Sequence, residues 1–234
     1  MSLSTRLNYF GLVVSGEWAF LSLTDSDNKK DFVVKSTSRD KFGNIIARDF
    51  SVTEGAPNCS LKVDKAGTLQ FVLGKVATLD TKKYAPNSLK ISTSTATPPS
   101  IEVSGEQLGD TATDSSTYAV PDIVLTPRHK AVILAGAFTL SGDGCNLVDC
   151  SLEAKCTITR ARNRGISLTH DVSDGEIVVS ATIEQTGSTA PTVTAADGWE
   201  ISVPLSDSNP EEGYTQWTVE LVKKEFKATD PEAA

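Results

Sequence analysis

The sequence predicts an all-β, mainly antiparallel fold, a β-sandwich or barrel. Three observations predict it. Side chains alternate apolar and polar with a period of two along most of the chain, polar or Asp-Gly steps punctuate the alternating runs, and only one segment offers helical spacing.

Taken in order, Ala19, Leu21 and Leu23 alternate with Trp18, Phe20 and Ser22. The polar run 25–30 then turns the chain into Phe32-Val-Val-Lys, which predicts a first hairpin. Asp25 and Asp27 resemble the start of a calcium loop. Lys30 stands where such a loop needs glycine and Ser36 where it needs glutamate, so the segment reads as a turn. Residues 68–80 carry both spacings: Leu69, Val72, Leu73, Val76 and Leu79 suit a short helix, whereas Leu69, Phe71, Leu73, Ala77 and Leu79 suit a strand.

From residue 84 to 127 serine, threonine, proline and glycine dominate. A short strand is expected at 101–103 and a long exposed loop at 105–120. A soft boundary is therefore drawn: an N-terminal β region at 1–98, a Ser/Thr/Gly-rich loop or linker at 99–120, a C-terminal β region at 121–228 and a tail at 229–234. The same pattern also suits one continuous domain.

In the second half, 131–140 is apolar on both faces, as a central strand would be. Residues 151–160 place Leu152, Ala154, Cys156 and Ile158 inward. Ile166, Leu168, His170 and Val172 run in phase, Asp174-Gly175 reads as a hairpin turn, and Ile177, Val179, Ala181 and Ile183 run back. Asp197-Gly198 leads into Trp199, Ile201, Val203 and Leu205. After a polar loop at 206–213, Trp217, Val219 and Leu221 form the last strand.

The 234 residues can bury a core without disulfide or metal. No run approaches the ~20 apolar residues of a membrane span, and Met1 to Asn8 lacks the basic start and apolar stretch of a secretory signal. A net charge of −8 argues against general nucleic-acid affinity. It fits either plain solubility or an acidic surface that DNA must pass without adhering. Cys59, Cys145, Cys150 and Cys156 show no C-x-x-C spacing. Buried reduced thiols are the expectation, with a Cys145–Cys150 bridge as the alternative.

Catalytic machinery is not expected. His129 and His170 are the two histidines, and no Gly-x-Ser-x-Gly elbow surrounds a serine. No Walker loop or Gly-x-Gly-x-x-Gly follows a strand, and no cofactor or metal motif stands out. With 30 acidic residues, a suitably spaced carboxylate pair has no specificity.

One feature suggests a surface rather than a site. Arg160, Arg162 and Arg164, with Lys155, form a basic knot in an acidic chain, followed closely by Asp171, Asp174 and Glu176. Such a knot is either a solvated hairpin or a patch that docks on an acidic neighbour, including an identical one; Glu211 and Glu212 are further acidic candidates. A carbohydrate-binding or adhesive sandwich is a second class of reading, with Tyr84, Tyr118 or Trp199 stacking on sugar rings.

The stretch 151–164, the turn Asp171-Val-Ser-Asp-Gly-Glu, the strand Ile177-Val-Val-Ser-Ala-Thr-Ile and the final strand 214–226 together resemble a bacteriophage tail-tube or related virion structural protein. That resemblance implies a subunit whose sheets join edge to edge into rings and stack into a hollow tube. It implies an acidic inner wall along which DNA passes as transient cargo, other virion proteins as partners, and assembly in the host cytoplasm into a virion. It assigns ring-to-ring contact to the loop 105–120. A capsid-decoration role is the related alternative.

Overall fold

The computed structural model describes residues 7–26, 30–54, 58–65, 67–79, 82–108, 117–126, 130–163, 166–186, 190–211 and 214–224. The fold is all-β, and among the described residues every strand pair is antiparallel. After a helical turn at 7–9, the strands are β1 (Leu12–Ser15), β2 (Ala19–Ser26), β3 (Lys30–Arg39), β4 (Ile45–Glu54), β5 (Asn58–Lys65), β6 (Thr68–Leu73), β7 (Ala77–Leu79) and β8 (Lys82–Ser94). There follow β9 (Ser100–Leu108), β10 (Tyr118–Val124), β11 (Phe138–Ser141), β12 (Cys145–Asn163), β13 (Ile166–Gln185), β14 (Thr192–Ala195), β15 (Glu200–Glu211) and β16 (Tyr214–Lys224).

The main sheet runs β15-β16-β13-β12-β8-β9-β5-β2, with β7 added on β8. Its two faces follow from alternation. Leu61, Ile101, Ile91, Leu152, Val179 and Leu221 stand opposite one another in a single row across six strands, all at 0–1% exposure. One residue along, the row is Ser100, Ser92, Ser151, Ser180, Glu220 and Val203, facing the other way. The apolar face is covered by the three-stranded sheet β1-β6-β10, which contributes Leu12, Leu69, Phe71, Leu73, Tyr118, Val120 and Ile123 to the same core. Two layers of sheet enclosing one apolar cluster is the arrangement of a β-sandwich.

Of the linker expected at 99–120, residues 100–108 belong to β9 and 118–120 to β10, 109–116 lie outside the described residues, and residues on either side of it pair across it. β8 pairs with β12 from Ser88↔Lys155 to Ser94↔Asp149, and β6 pairs with β10.

Several expectations are corrected. Residues 68–80 are not helical: β6 alternates Leu69, Phe71 and Leu73 into the core, and Gly74, at φ 77, ends the strand before β7. Strand spacing prevails because those three side chains fill the second layer. Of the loop expected at 105–120, residues 105–108 and 118–120 are strand, and 109–116 lie outside the described residues. Gly105 lies inside β9, where an added Cβ would strike the Ala85 carbonyl and the Tyr84 ring, and β10 begins at Tyr118. Pro121 is accommodated by a register shift between Val120 and Ile123.

The run 131–140 is not a central strand. Residues 131–133 are irregular, Leu134–Gly136 is a 3-10 turn with Ala135 at φ 53 and Gly136 at φ 58, and β11 pairs only with β14. It is apolar all round because it plugs the core, burying Leu134, Ala137 and Phe138. Thr93 ties the plug to the sheet: its Oγ1 accepts from the Val132 N–H at 3.3 Å and donates to the Cys150 carbonyl at 3.2 Å.

The first hairpin is also different, since β2 pairs with β5 and β3 with β4. Asp174-Gly175 is no hairpin turn either. Both residues lie within β13 and together oppose Cys156, a bulge in which Asp174 takes φ 55. A bulge and a tight turn draw on the same left-handed backbone, so the dipeptide signals both. Asp197-Gly198 does turn the chain, with the Trp199 N–H on the Ala196 carbonyl, but it connects strands of different sheets. Beyond it Trp199 is buried as expected, whereas Ile201 and Val203 lie 43% and 44% exposed on the outermost strand.

Candidate assembly surfaces

Two ribbons outrun the sandwich. β12 pairs with β8 only as far as Lys155, and β13 with β16 only as far as Glu176, yet β12 and β13 continue to pair with each other from Thr157↔Ser173 to Asn163↔Ile166. β3 and β4 form a second ribbon, paired from Lys30↔Glu54 to Arg39↔Ile45 and packed chiefly against each other. The register shows that both leave the same end of the main sheet. Ser26 stands opposite Asn58, Asn58 opposite Ser104, Ser104 opposite Ser88, Ser88 opposite Lys155, and Lys155 opposite Glu176. Ten residues of strand carry the β3–β4 ribbon roughly 33 Å beyond its root.

The interface residues expected from sequence all belong to the β12–β13 ribbon or its root. Arg160 stands opposite His170 and Arg162 opposite Ser167; Arg164 lies outside the described residues. Asp171, opposite Thr159, is exposed and accepts from its neighbour's Val172 N–H at 2.9 Å, while Asp174 accepts from the Ser173 hydroxyl at 3.0 Å. Glu176 pairs with Lys155 at 3.1 Å across the ladder. With the lysine side chain 54% exposed, that ion pair is screened and adds well under ~1 kcal/mol. Charge is thus graded along the ribbon: Arg160 and Arg162 sit toward its tip and Glu176 at its root, about 23 Å apart at strand rise.

At the root the β13 bulge bends the ribbon over the second layer. Gly175 lies against Tyr118, where an added Cβ would come within 2.7 Å of the ring, and the Tyr118 hydroxyl donates to the Val172 carbonyl at 3.4 Å.

The tip of the other ribbon is tightly built, and the sequence reading did not single it out. Asp40 Oδ1 accepts from the backbone N–H groups of Phe42 at 2.8 Å and Asn44 at 2.9 Å. Asp40 Oδ2 accepts from the Asn44 side-chain amide at 3.0 Å, and Arg39 Nη1 donates to the Gly43 carbonyl at 2.6 Å. Bonding to Asn44, side chain first and then backbone, holds the Asp40 carboxyl below its ordinary pKa. Gly43 takes φ 86, which a residue with a Cβ rarely adopts. This turn presents Phe42 at 77% exposure, with Lys41 Nζ 5.1 Å from its ring centre. The signal available in sequence was Asp-Lys-Phe-Gly-Asn between two alternating runs.

The open face of the main sheet is the third surface. On β8, β9, β12, β13 and β16 it presents Glu102, Asp149, Glu153, Glu176, Glu184 and Glu220 against Lys90, Lys155 and Lys224, among serines and threonines. Lys90, Glu102 and Glu153 are exposed, so this face meets solvent. The edges differ in kind. β15, the outer strand on one side, carries Pro204 and Pro210 and three register shifts, which leave a poor template for pairing; β2, on the other side, has no proline.

The chemistry of isolated residues adds little. His129 lies outside the described residues, as does the side chain of His170. Among the described residues no cluster of His, Cys, Asp and Glu could hold a metal ion. All four cysteines are free thiols. Burial pushes Cys150 up to about 11 and Cys156 up to about 12, the latter helped by Glu106; burial also raises Cys145. Tyr84, Tyr118 and Trp199, the aromatics that a sugar-binding surface would have used, are 0%, 2% and 7% exposed and belong to the core, as the phase of Trp199 with its strand required. Compared with known protein families and with curated proteins, the chain matches no family and no curated protein.

Proposed function

We propose that this chain is a non-enzymatic structural subunit that self-assembles in a virion, as a tail-tube subunit whose copies join into stacked rings around a channel for DNA. One observation carries the reading: two ribbons whose rims pair with no further strand among the described residues are rooted at the same end of a sheet whose outward face is an acid-rich polar wall.

A two-stranded ribbon alone is marginal in water, because its rims leave backbone donors and acceptors unpaired and its faces find nothing to pack on. Sister molecules supply both. The basic-to-acidic grading along the β12–β13 ribbon favours a head-to-tail contact, in which the arginine-bearing part of one copy meets the acidic root of the next; such contacts close into rings when the rotation allows. The open face suits a channel wall, since its carboxylates repel DNA phosphates and its hydroxyls stay hydrated. The free edge of β2 and the ribbons, rather than the proline-bearing β15, carry the lateral pairing.

Electron microscopy of the purified protein tests this. Rings or hollow tubes are expected; a strict monomer at every concentration and salt would sink the reading.

A further inference from the structure

We infer that Phe42, at the tip of the β3–β4 ribbon, anchors one copy of the chain in a groove on the open face of the next copy. The groove lies over β8, β12, β13, β16 and β15, has a volume of about 570 Å³, and its outward-facing lining includes Ser92, Asp149, Ser151, Thr182, Val203 and Glu220. The inference rests on the assembly reading, because it needs a second copy.

Three observations converge on this occupant. The first is the construction of the tip. Asp40, Asn44 and Arg39 fix a turn whose most exposed product is an aromatic ring, the most exposed large apolar side chain among the described residues. A ring at 77% exposure does nothing for the stability of its own ribbon. Held rigidly, however, it loses little conformational entropy on insertion, which is how aromatic anchors come to dominate interfaces.

The second is charge. Arg39 and Lys41 flank the ring in a chain of net charge −8, and the groove offers Asp149 and Glu220 beside the exposed aliphatic side chain of Val203. A cation next to a phenyl ring thus meets a carboxylate next to aliphatic carbon.

The third is direction. The ribbons leave the sheet at the end marked by Ser88, Lys155 and Glu176, whereas the groove spans the rows Ser92-Ser151-Ser180 and Ser94-Asp149-Thr182, toward the opposite end. The root of the tip-bearing ribbon and the groove thus lie toward opposite ends of the sheet. A second copy, placed head to tail, brings tip and groove together, and repetition of that contact builds along an axis.

The test uses the full chain with Phe42→p-benzoylphenylalanine, irradiated after assembly and mapped by mass spectrometry. Cross-links from position 42 to peptides spanning 149–151 or 218–220 of another chain are expected. Intact assemblies cross-linked elsewhere would overturn the anchor and leave the tube reading standing; a wild-type protein that never assembles removes both. Charge exchange provides a second measurement. Lys41→Asp and Asp149→Lys should each raise the concentration for half-assembly on the order of tenfold, and the double variant should recover most of it. A double variant no better than either single one contradicts the pairing.

Discussion

The sandwich and its two ribbons are made from the same alternating kind of sequence and end in opposite circumstances. In the sandwich, Leu152 stands between Ile91 and Val179 at 0% exposure, with a second sheet packed over the row. In the ribbons, beyond the bulge at 174–175 and along β3 and β4, each strand pairs with one partner among the described residues. Alternation makes a strand two-faced, but covering a face requires something to lie on it. Where the chain supplies that layer the face is buried, and where it does not, we propose that a sister molecule covers it.

The contrast predicts a large stability effect in one region and little in the other. Leu152→Ala should lower unfolding free energy by about 2–5 kcal/mol in denaturant titration, because a cavity opens in the middle of the central row. Next comes the junction. Gly175→Ala should destabilise by about 1–3 kcal/mol, since the new methyl group meets the Tyr118 ring and must displace the ribbon root from the second layer. A Gly175→Ala protein as stable as wild type would mean that the root is not held there.

At the ribbon tip the expected change is local. Asp40→Ala should leave the global unfolding transition unmoved while speeding amide exchange at Phe42 and Asn44. Acidification should act in the same sense. The Asp40 carboxyl is held below its ordinary pKa, so its contribution is complete above the ordinary value and is withdrawn as pH falls through the lowered one. Thiol chemistry gives the smallest effect. Cys145, half-buried, should react with iodoacetamide before Cys59 and Cys150, which are both 1% exposed.

The parity of the core was legible in the sequence. Leu152, Ala154, Ile177, Val179, Ala181, Ile183, Val219 and Leu221 all face the interior as their spacing requires. Signals with two physical meanings were not. An apolar run on both faces describes a central strand and equally the buried plug at 131–140. Asp-Gly describes a turn and equally the bulge at 174–175. Glycine in a polar stretch suggests a loop, whereas Gly105 is there because the Tyr84 ring leaves no room for a Cβ. The charged residues of the β12–β13 ribbon stood out in the sequence, but the bulge that sets their register did not, because Asp-Gly reads equally as a turn. Phe42 was missed for a related reason: one exposed aromatic has meaning only once the turn that holds it is known.

Hydrogen–deuterium exchange across a concentration series tests the central claim most directly. Strand amides at 30–39, 45–54 and 157–163 should exchange faster than those of the central strands in dilute protein and gain protection as copies associate, while the central strands stay protected throughout. Ribbons already protected in a monomer, or left unprotected in assembled material, would contradict the account.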